Sequence, residues 1–279
     1  MIIPERIYVA IDFKPSISSV LSYAIWLSNI FACKKLTLFH IMEYTLTPPA
    51  YLMPYINKEK KKIEEQLKEL EKQISKFSVE TECKVILGRL IESMREVIRD
   101  EKSFTVLGFK HYVTRPSTSE RLLKGMKTPA LIVKGKDFES ISPQNIRLQK
   151  ILCPVDFSSV SLRALDFAKE LALRCGCELT VIHIIPEKKI RGILEQENEI
   201  QKYLEYLKEE AQEKIKKIDE NLRCEIVAGI PSEEILKRVE QHDLVVIGSK
   251  GRSYSEAIMI GSVAESVIKN SPKPILLIH

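Results

Sequence analysis

The sequence predicts an α/β fold: two tandem domains, each an open five-stranded parallel sheet with helices on both faces. Three observations carry that expectation. Five short apolar runs recur in the same order at an offset of about 143 residues. The runs are rich in Val, Ile and Leu and nearly continuous, as strands covered on both faces are. Between them lie stretches with helical periodicity, the alternation that builds a parallel sheet.

Taken in order, "RIYVAIDF" (Arg6 to Phe13) pairs with "KILCPVDF" (Lys150 to Phe157), each a strand ending in Asp then Phe. A helix follows in both copies. In the second, Ser158 or Ser159 caps a run whose Leu162, Leu165, Phe167, Ala168, Leu171 and Ala172 form one apolar face; in the first it runs from about Ser18 to Phe31. "KLTLFHIME" (Lys35 to Glu43) then matches "ELTVIHIIPE" (Glu178 to Glu187). Long polar-faced helices are expected at about Lys58 to Phe77 and Leu194 to Ile218.

"CKVILG" (Cys83 to Gly88) matches "CEIVAG" (Cys224 to Gly229), and both lead into helices, the second with Pro231 at its start and Glu233 and Glu234 in its first turn. "FTVLGFK" (Phe104 to Lys110) matches "LVVIGSK" (Leu244 to Lys250), and "PALIV" (Pro129 to Val133) matches "PILLI" (Pro274 to Ile278). The domains are expected over 1–137 and 148–279, with the polar segment Gly135 to Gln149 as a linker.

Composition narrows the function classes. The first 140 residues carry 23 basic and 17 acidic side chains, the remainder 20 and 21, a mild asymmetry within a net charge of +5. The densest basic run, Asn57 to Lys76, is laced with Glu at helical spacing and reads as a solvated helix face, not a nucleic-acid surface. The six cysteines form no CxxC pair and read as free thiols, not zinc ligands. The start of the chain has too short an apolar run for a signal peptide, and no segment reaches membrane-spanning length, so a cytoplasmic protein is expected.

Ligands of open parallel sheets bind beyond the carboxyl ends of the strands. In the second copy those ends carry Asp156, Ile184, Gly229 and the stretch from Gly248 to Val263. Gly248, Gly251 and the pair Gly261–Ser262 are spaced so that backbone N–H groups, freed of side chains, meet anionic oxygens at the start of the helix "SVAESVIKN". Taken alone, these glycines equally suit a turn. Ser262 is expected to donate a hydroxyl or to cap that helix. The P-loop pattern GxxxxGK[ST] and the dinucleotide fingerprint are both absent.

In combination, "PVDFS" after the first strand, "HI" in the second, and G-x-x-G, nine residues, G-S between the last two resemble the universal stress protein family, here in tandem. The resemblance implies Rossmann-like, adenine nucleotide alpha hydrolase-like domains and a ligand that is ATP or ADP, with or without magnesium. It places Asp156 at the adenine and ribose end, Ile184 with Pro154 and Val155 at the adenine, and Gly248, Gly251, Gly261, Ser262 and Val263 on ribose and phosphates. Arg252 is added as a charge within reach of the phosphates. The first copy keeps Asp12, Phe13, His40, Ile41 and Gly108, but its last loop is five residues shorter and lacks the later glycines. It is read as degenerate, with only Lys110, His111 and Arg115 as a small anion cluster.

His40 and His183 read as structural, and Asp156 as ribose ligand, metal contact through a phosphate, or turn cap. No catalytic constellation is present: GxSxG and paired carboxylates are missing. A stress-response regulator with at most slow hydrolysis or autophosphorylation is expected, with a nucleotide-independent interaction module as the rival. The family resemblance also implies pairing of the "PALIV" and "PILLI" edge strands and a homodimer.

Overall fold

The structure is a computed structural model and describes residues 4–13, 16–44, 48–100, 102–110, 116–134, 138–222, 224–251 and 260–279. The chain divides into two compact units, residues 2–147 and 148–279. Among the described residues no helix is long and apolar enough to cross a membrane.

In residues 2–147 the strands are β1 (Arg6–Ala10), β2 (Lys35–Glu43), β3 (Glu80–Gly88), β4 (Ser103–Gly108) and β5 (Ala130–Val133). They run parallel in the order β3-β2-β1-β4-β5. The helices are α1 (Ile17–Phe31), α2 (Met53–Ser75), α3 (Leu90–Val97) and α4 (Thr118–Gly125). α2 begins five residues before the expected Lys58, because Pro54 in its first turn costs no hydrogen bond and presets the backbone.

The polar segment after β5 is not a solvated linker. Phe138 N–H donates to Ser19 Oγ at 2.7 Å and Ser142 N–H to Ser22 Oγ at 2.8 Å. Ile141 and Ile146 are buried, so residues 138–147 strap onto α1. The serines on the inner face of α1 were the available signal.

Residues 148–279 repeat the pattern. Strands β6 (Lys150–Pro154), β7 (Glu178–Pro186), β8 (Cys224–Gly229), β9 (Leu244–Gly248) and β10 (Ile275–Ile278) pair in parallel in the order β8-β7-β6-β9-β10. The five residues of β9 and the four of β10 are all buried, which explains their unbroken apolar runs. The helices are α5 (Ser159–Cys175), α6 (Glu187–Arg191), α7 (Glu197–Ile218), α8 (Pro231–Val239) and α9 (Ser262–Asn270).

Ser158 caps α5 by accepting the Ser161 N–H at 3.2 Å, and Gly176 ends it in the left-handed conformation at φ 64°. α7 starts at Glu197, not Leu194, because α6 intervenes: Leu194 N–H still donates to Ile190 O. The chain leaves β6 towards β7 on one side and returns to β9 on the other. That reversal opens a crevice at the carboxyl ends of β6 and β9, where ligands of this architecture sit.

Candidate nucleotide site

Both first strands end in the same turn. Phe13 and Phe157 adopt positive φ, 52° and 62°, a conformation that costs a side-chain-bearing residue about 1–2 kcal/mol. The second-strand histidine supports it. His183 Nδ1–H donates to Val155 O at 2.7 Å and its ring lies 4.6 Å from the Phe157 ring; His40 does the same to Ile11 O at 2.7 Å, with Phe13 at 5.4 Å. The Asp-Phe and His signals of the sequence are thus one device that shapes the strand end. With Nδ1–H given to a carbonyl, each histidine braces the turn and has its tautomer set.

In residues 148–279 this turn borders a cavity of 580 Å³, within the usual size of a small-molecule site. Val155, Ile184, Leu207, Pro231 and Ile235 supply apolar lining. Asp156, Ser249, Gly251, Gly261 and Ser262 line the same cavity. Of the residues singled out from the sequence, Pro154, Val155, Asp156, Ile184, Gly248 and Gly251 line this one cavity, as do Gly261, Ser262 and Val263. Arg252 lies outside the described residues, as do His111 and Arg115 of the first copy.

Each glycine has its own physical reason. A Cβ on Gly248 would stand 3.1 Å from Ser161 N and 3.2 Å from Ser161 Cα, both backbone atoms of α5. Gly248 is therefore a packing glycine between strand and helix. Its counterpart Gly108 also faces the first helix of its unit, where a Cβ would meet side-chain atoms, Val20 Cγ2 at 3.2 Å and Ser16 Oγ at 3.4 Å. A Cβ on Gly251 would instead lie 2.5 Å from Asp156 Oδ2. The loop passes over the carboxylate only because the side chain is missing. The sequence left ligand and fold as alternatives here; the nearest neighbour of Gly251 is the site carboxylate itself.

Gly261, not Ser262, occupies the N-cap of α9, with φ −75° and ψ 158°, angles open to any residue. This corrects the expectation that Ser262 caps the helix: it is the first helical residue. The cap makes no side-chain hydrogen bond, Glu265 N–H bonds back to Gly261 O at 2.9 Å, and the first turn of α9 begins at the cavity wall. Asp156 is a cap as well as a site residue: its Oδ1 accepts from Ser158 N–H at 3.0 Å and Ser158 Oγ–H at 2.6 Å.

The equivalent helix start in residues 2–147 is closed by the chain's own groups. Ser117 caps α4 in a reciprocal capping box: Ser117 Oγ accepts Glu120 N–H at 3.2 Å and the Glu120 carboxylate accepts Ser117 N–H at 2.7 Å, both residues buried. Ser119 Oγ donates to Gly108 O at 2.6 Å. Arg121 pairs with Glu43 at the end of β2, which holds the Glu43 carboxyl below its ordinary range. A carboxylate stands where the second unit has a glycine cap with no side-chain hydrogen bond.

Sequence reasoning missed the far wall of the cavity. Leu207, Glu210, Ala211 and Lys214 line it from α7 at spacings of three, one and three, one helical face. Lys214 pairs with Glu210 and sits 5.6 Å from the centre of the Phe157 ring. Their helical periodicity was legible, but not that this face turns toward the crevice. Ile247 and Ser249 were also missed; strand alternation opposite Gly248 was the available signal.

A model of the universal stress protein family matches residues 147–279. Universal stress protein MJ0531 of Methanocaldococcus jannaschii is 35% identical over 139 residues, 47% of this chain and 81% of that protein. A second protein of the same organism, universal stress protein MJ0577, is 31% identical over 156 residues, 48% of this chain and 96% of its own length. This chain belongs to the universal stress protein family. A universal stress protein from Archaeoglobus fulgidus superposes with a TM-score of 0.67 at 22% identity, covering 98% of this chain and 97% of that one. At that identity the likeness is one of fold, and it extends the Usp-like α/β architecture over nearly the whole chain.

Proposed function

We propose that residues 148–279 form a domain that binds an adenine nucleotide, ATP or ADP with or without magnesium, and that the protein is a nucleotide-responsive regulator of the stress response. The observation that carries this reading is the meeting, in one cavity, of apolar side chains, a carboxylate and a helix N-terminus with a glycine cap. An adenine suits the apolar lining at Val155 and Ile184, with the Ile184 main chain and Pro154 at its edge. The ribose hydroxyls suit Asp156, an acceptor. The phosphates suit the first turn of α9, Ser262 and Val263 after the cap Gly261, at the positive end of the helix dipole. Gly248 and Gly251 keep the loop low, and Arg252 adds charge to the same loop.

The residues fit such a ligand on the structure's own terms. The Gly251 cradle over Asp156 would be filled by any side chain. Among the described residues no group of three His, Cys, Asp or Glu side chains is placed to hold a metal ion, so magnesium would arrive on the phosphates. His183 Nδ1–H is engaged with Val155 O and braces the turn beside the site. The site therefore binds and orients; hydrolysis or autophosphorylation is at most slow, below about one turnover per second.

The same reading makes the chain a tandem of Rossmann-like domains, the first over residues 1–137 and degenerate, working in the cytoplasm as a homodimer, which a solution mass checks. The decisive experiment is native mass spectrometry of the purified chain, followed by calorimetry with ATP and magnesium. One nucleotide per chain is expected. No co-purified nucleotide and no heat of binding would overturn the reading in favour of a nucleotide-independent interaction module.

A further inference from the structure

One hydroxyl in the cavity wall is set apart by its bonding. Ser249 follows β9, is 1% exposed and lines the cavity, yet its Oγ has no hydrogen-bond partner among the described residues. Its main chain is fully engaged: the N–H donates to Ile278 O at 2.7 Å, and the carbonyl accepts the Gly261 N–H at 2.7 Å. The residue is thus pinned between β10 and the cap of α9, with only its side chain left to act. A buried hydroxyl without a bond is destabilising, and such a group in a folded protein calls for a reason. The other buried side-chain atoms without partners among the described residues, Thr105 Oγ1, Thr128 Oγ1 and His279 Nε2, belong to residues outside the cavity lining.

The position of Ser249 decides what it would meet. Strand alternation turns Gly248 to α5 and puts Ile247 and Ser249 on the opposite face. Through its carbonyl, Ser249 is tied to Gly261, the cap of α9, so it stands in the cavity wall beside the start of that helix. A rotation about one χ1 bond moves Oγ between its staggered wells.

We infer that Ser249 Oγ donates a hydrogen bond to the phosphate nearest the nucleoside, and so sets a preference for phosphorylated adenosines over adenosine. The inference rests on the adenine-nucleotide reading of this cavity. A phosphate oxygen only accepts, which is the complement of a hydroxyl whose neighbouring backbone groups are already taken. Ser249 is then a specificity-determining contact additional to the glycine pattern, and ligand arrival satisfies a group that folding leaves unsatisfied.

Calorimetry of wild type and Ser249→Ala with adenosine, AMP and ADP, with thermal unfolding of both ligand-free proteins, tests this. The expected result is about tenfold weaker binding of AMP and ADP, one hydrogen bond's worth, with adenosine unchanged. The ligand-free melting temperature of Ser249→Ala should equal or exceed that of wild type, since alanine removes an unbonded polar group. Equal loss for adenosine, undiminished AMP binding, or a lowered ligand-free melting temperature would each overturn the assignment. If wild type binds none of the three, the nucleotide reading itself falls and takes this inference with it. If wild type binds and Ser249→Ala binds equally well, only the role of Ser249 is lost.

Discussion

Replacing Gly251 and Gly248 by alanine should produce opposite failures. In Gly251→Ala the new Cβ lies 2.5 Å from Asp156 Oδ2, well inside contact distance, and the atom that must yield is the end of a side chain. The Asp156 carboxylate swings away and weakens the bonds it accepts from Ser158. That capping turn contributes about 1 kcal/mol, the ceiling on the fold's loss. A charge-assisted contact from Asp156 to a ribose is worth about 1.5–3 kcal/mol, so nucleotide affinity should fall about 10- to 150-fold. In Gly248→Ala the obstacles are backbone atoms of α5 at 3.1 and 3.2 Å, which cannot rotate away. Overpacking of that kind costs about 1–3 kcal/mol of stability. Calorimetry with ATP and magnesium, paired with urea unfolding of the ligand-free proteins, reads both axes. The reasoning fails if Gly251→Ala binds like wild type, or if it loses more stability than Gly248→Ala.

Three further outcomes are expected. Gly261→Val should leave the unfolding free energy from urea titration within about 1 kcal/mol of wild type, because φ −75° and ψ 158° suit valine, while nucleotide binding disappears; retained binding would remove the helix cap from the site. Ala32→Gly should stabilise the protein by about 0.5–1 kcal/mol in urea unfolding, because Ala32 ends α1 at φ 53°, where Gly176 ends α5 without strain; an unchanged or lowered midpoint would refute this. Burial, reinforced by Lys250 and Arg163, holds the His279 imidazole down to about 4. The unfolded chain binds a proton near the ordinary value of about 6.5, so the contribution of neutral His279 is complete above that pH and is lost as pH falls toward about 4. An NMR titration showing His279 changing charge near pH 6.5 would refute it.

Much of the fold was legible because parallel strands buried on both faces leave an apolar signature. The recurrence of five such runs in order named the architecture without any single strand being diagnostic. Helix starts were legible where chemistry marks them, at Ser158 and Pro231, and blurred where it does not. Lys58 and Leu194 were misplaced because a proline-led first turn and the short helix α6 carry no strong polar signal. The segment after β5 was misread since its apolar residues are few, and its docking depends on serines of a distant helix.

For the site, the sequence alone determined which residues stand at strand ends, because strand length and spacing are local properties. It also told Gly251 and Gly261 from Gly248, since only Gly248 has a counterpart in the first copy. What each glycine is for was decided by the tertiary structure: α5 backbone for Gly248, the Asp156 carboxylate for Gly251, and a helix cap without a side-chain hydrogen bond for Gly261. The same holds for the buried hydroxyl of Ser249 and the α7 wall. Distances between segments that lie 40 to 90 residues apart are set by how the sheet closes the crevice, and no local pattern encodes them.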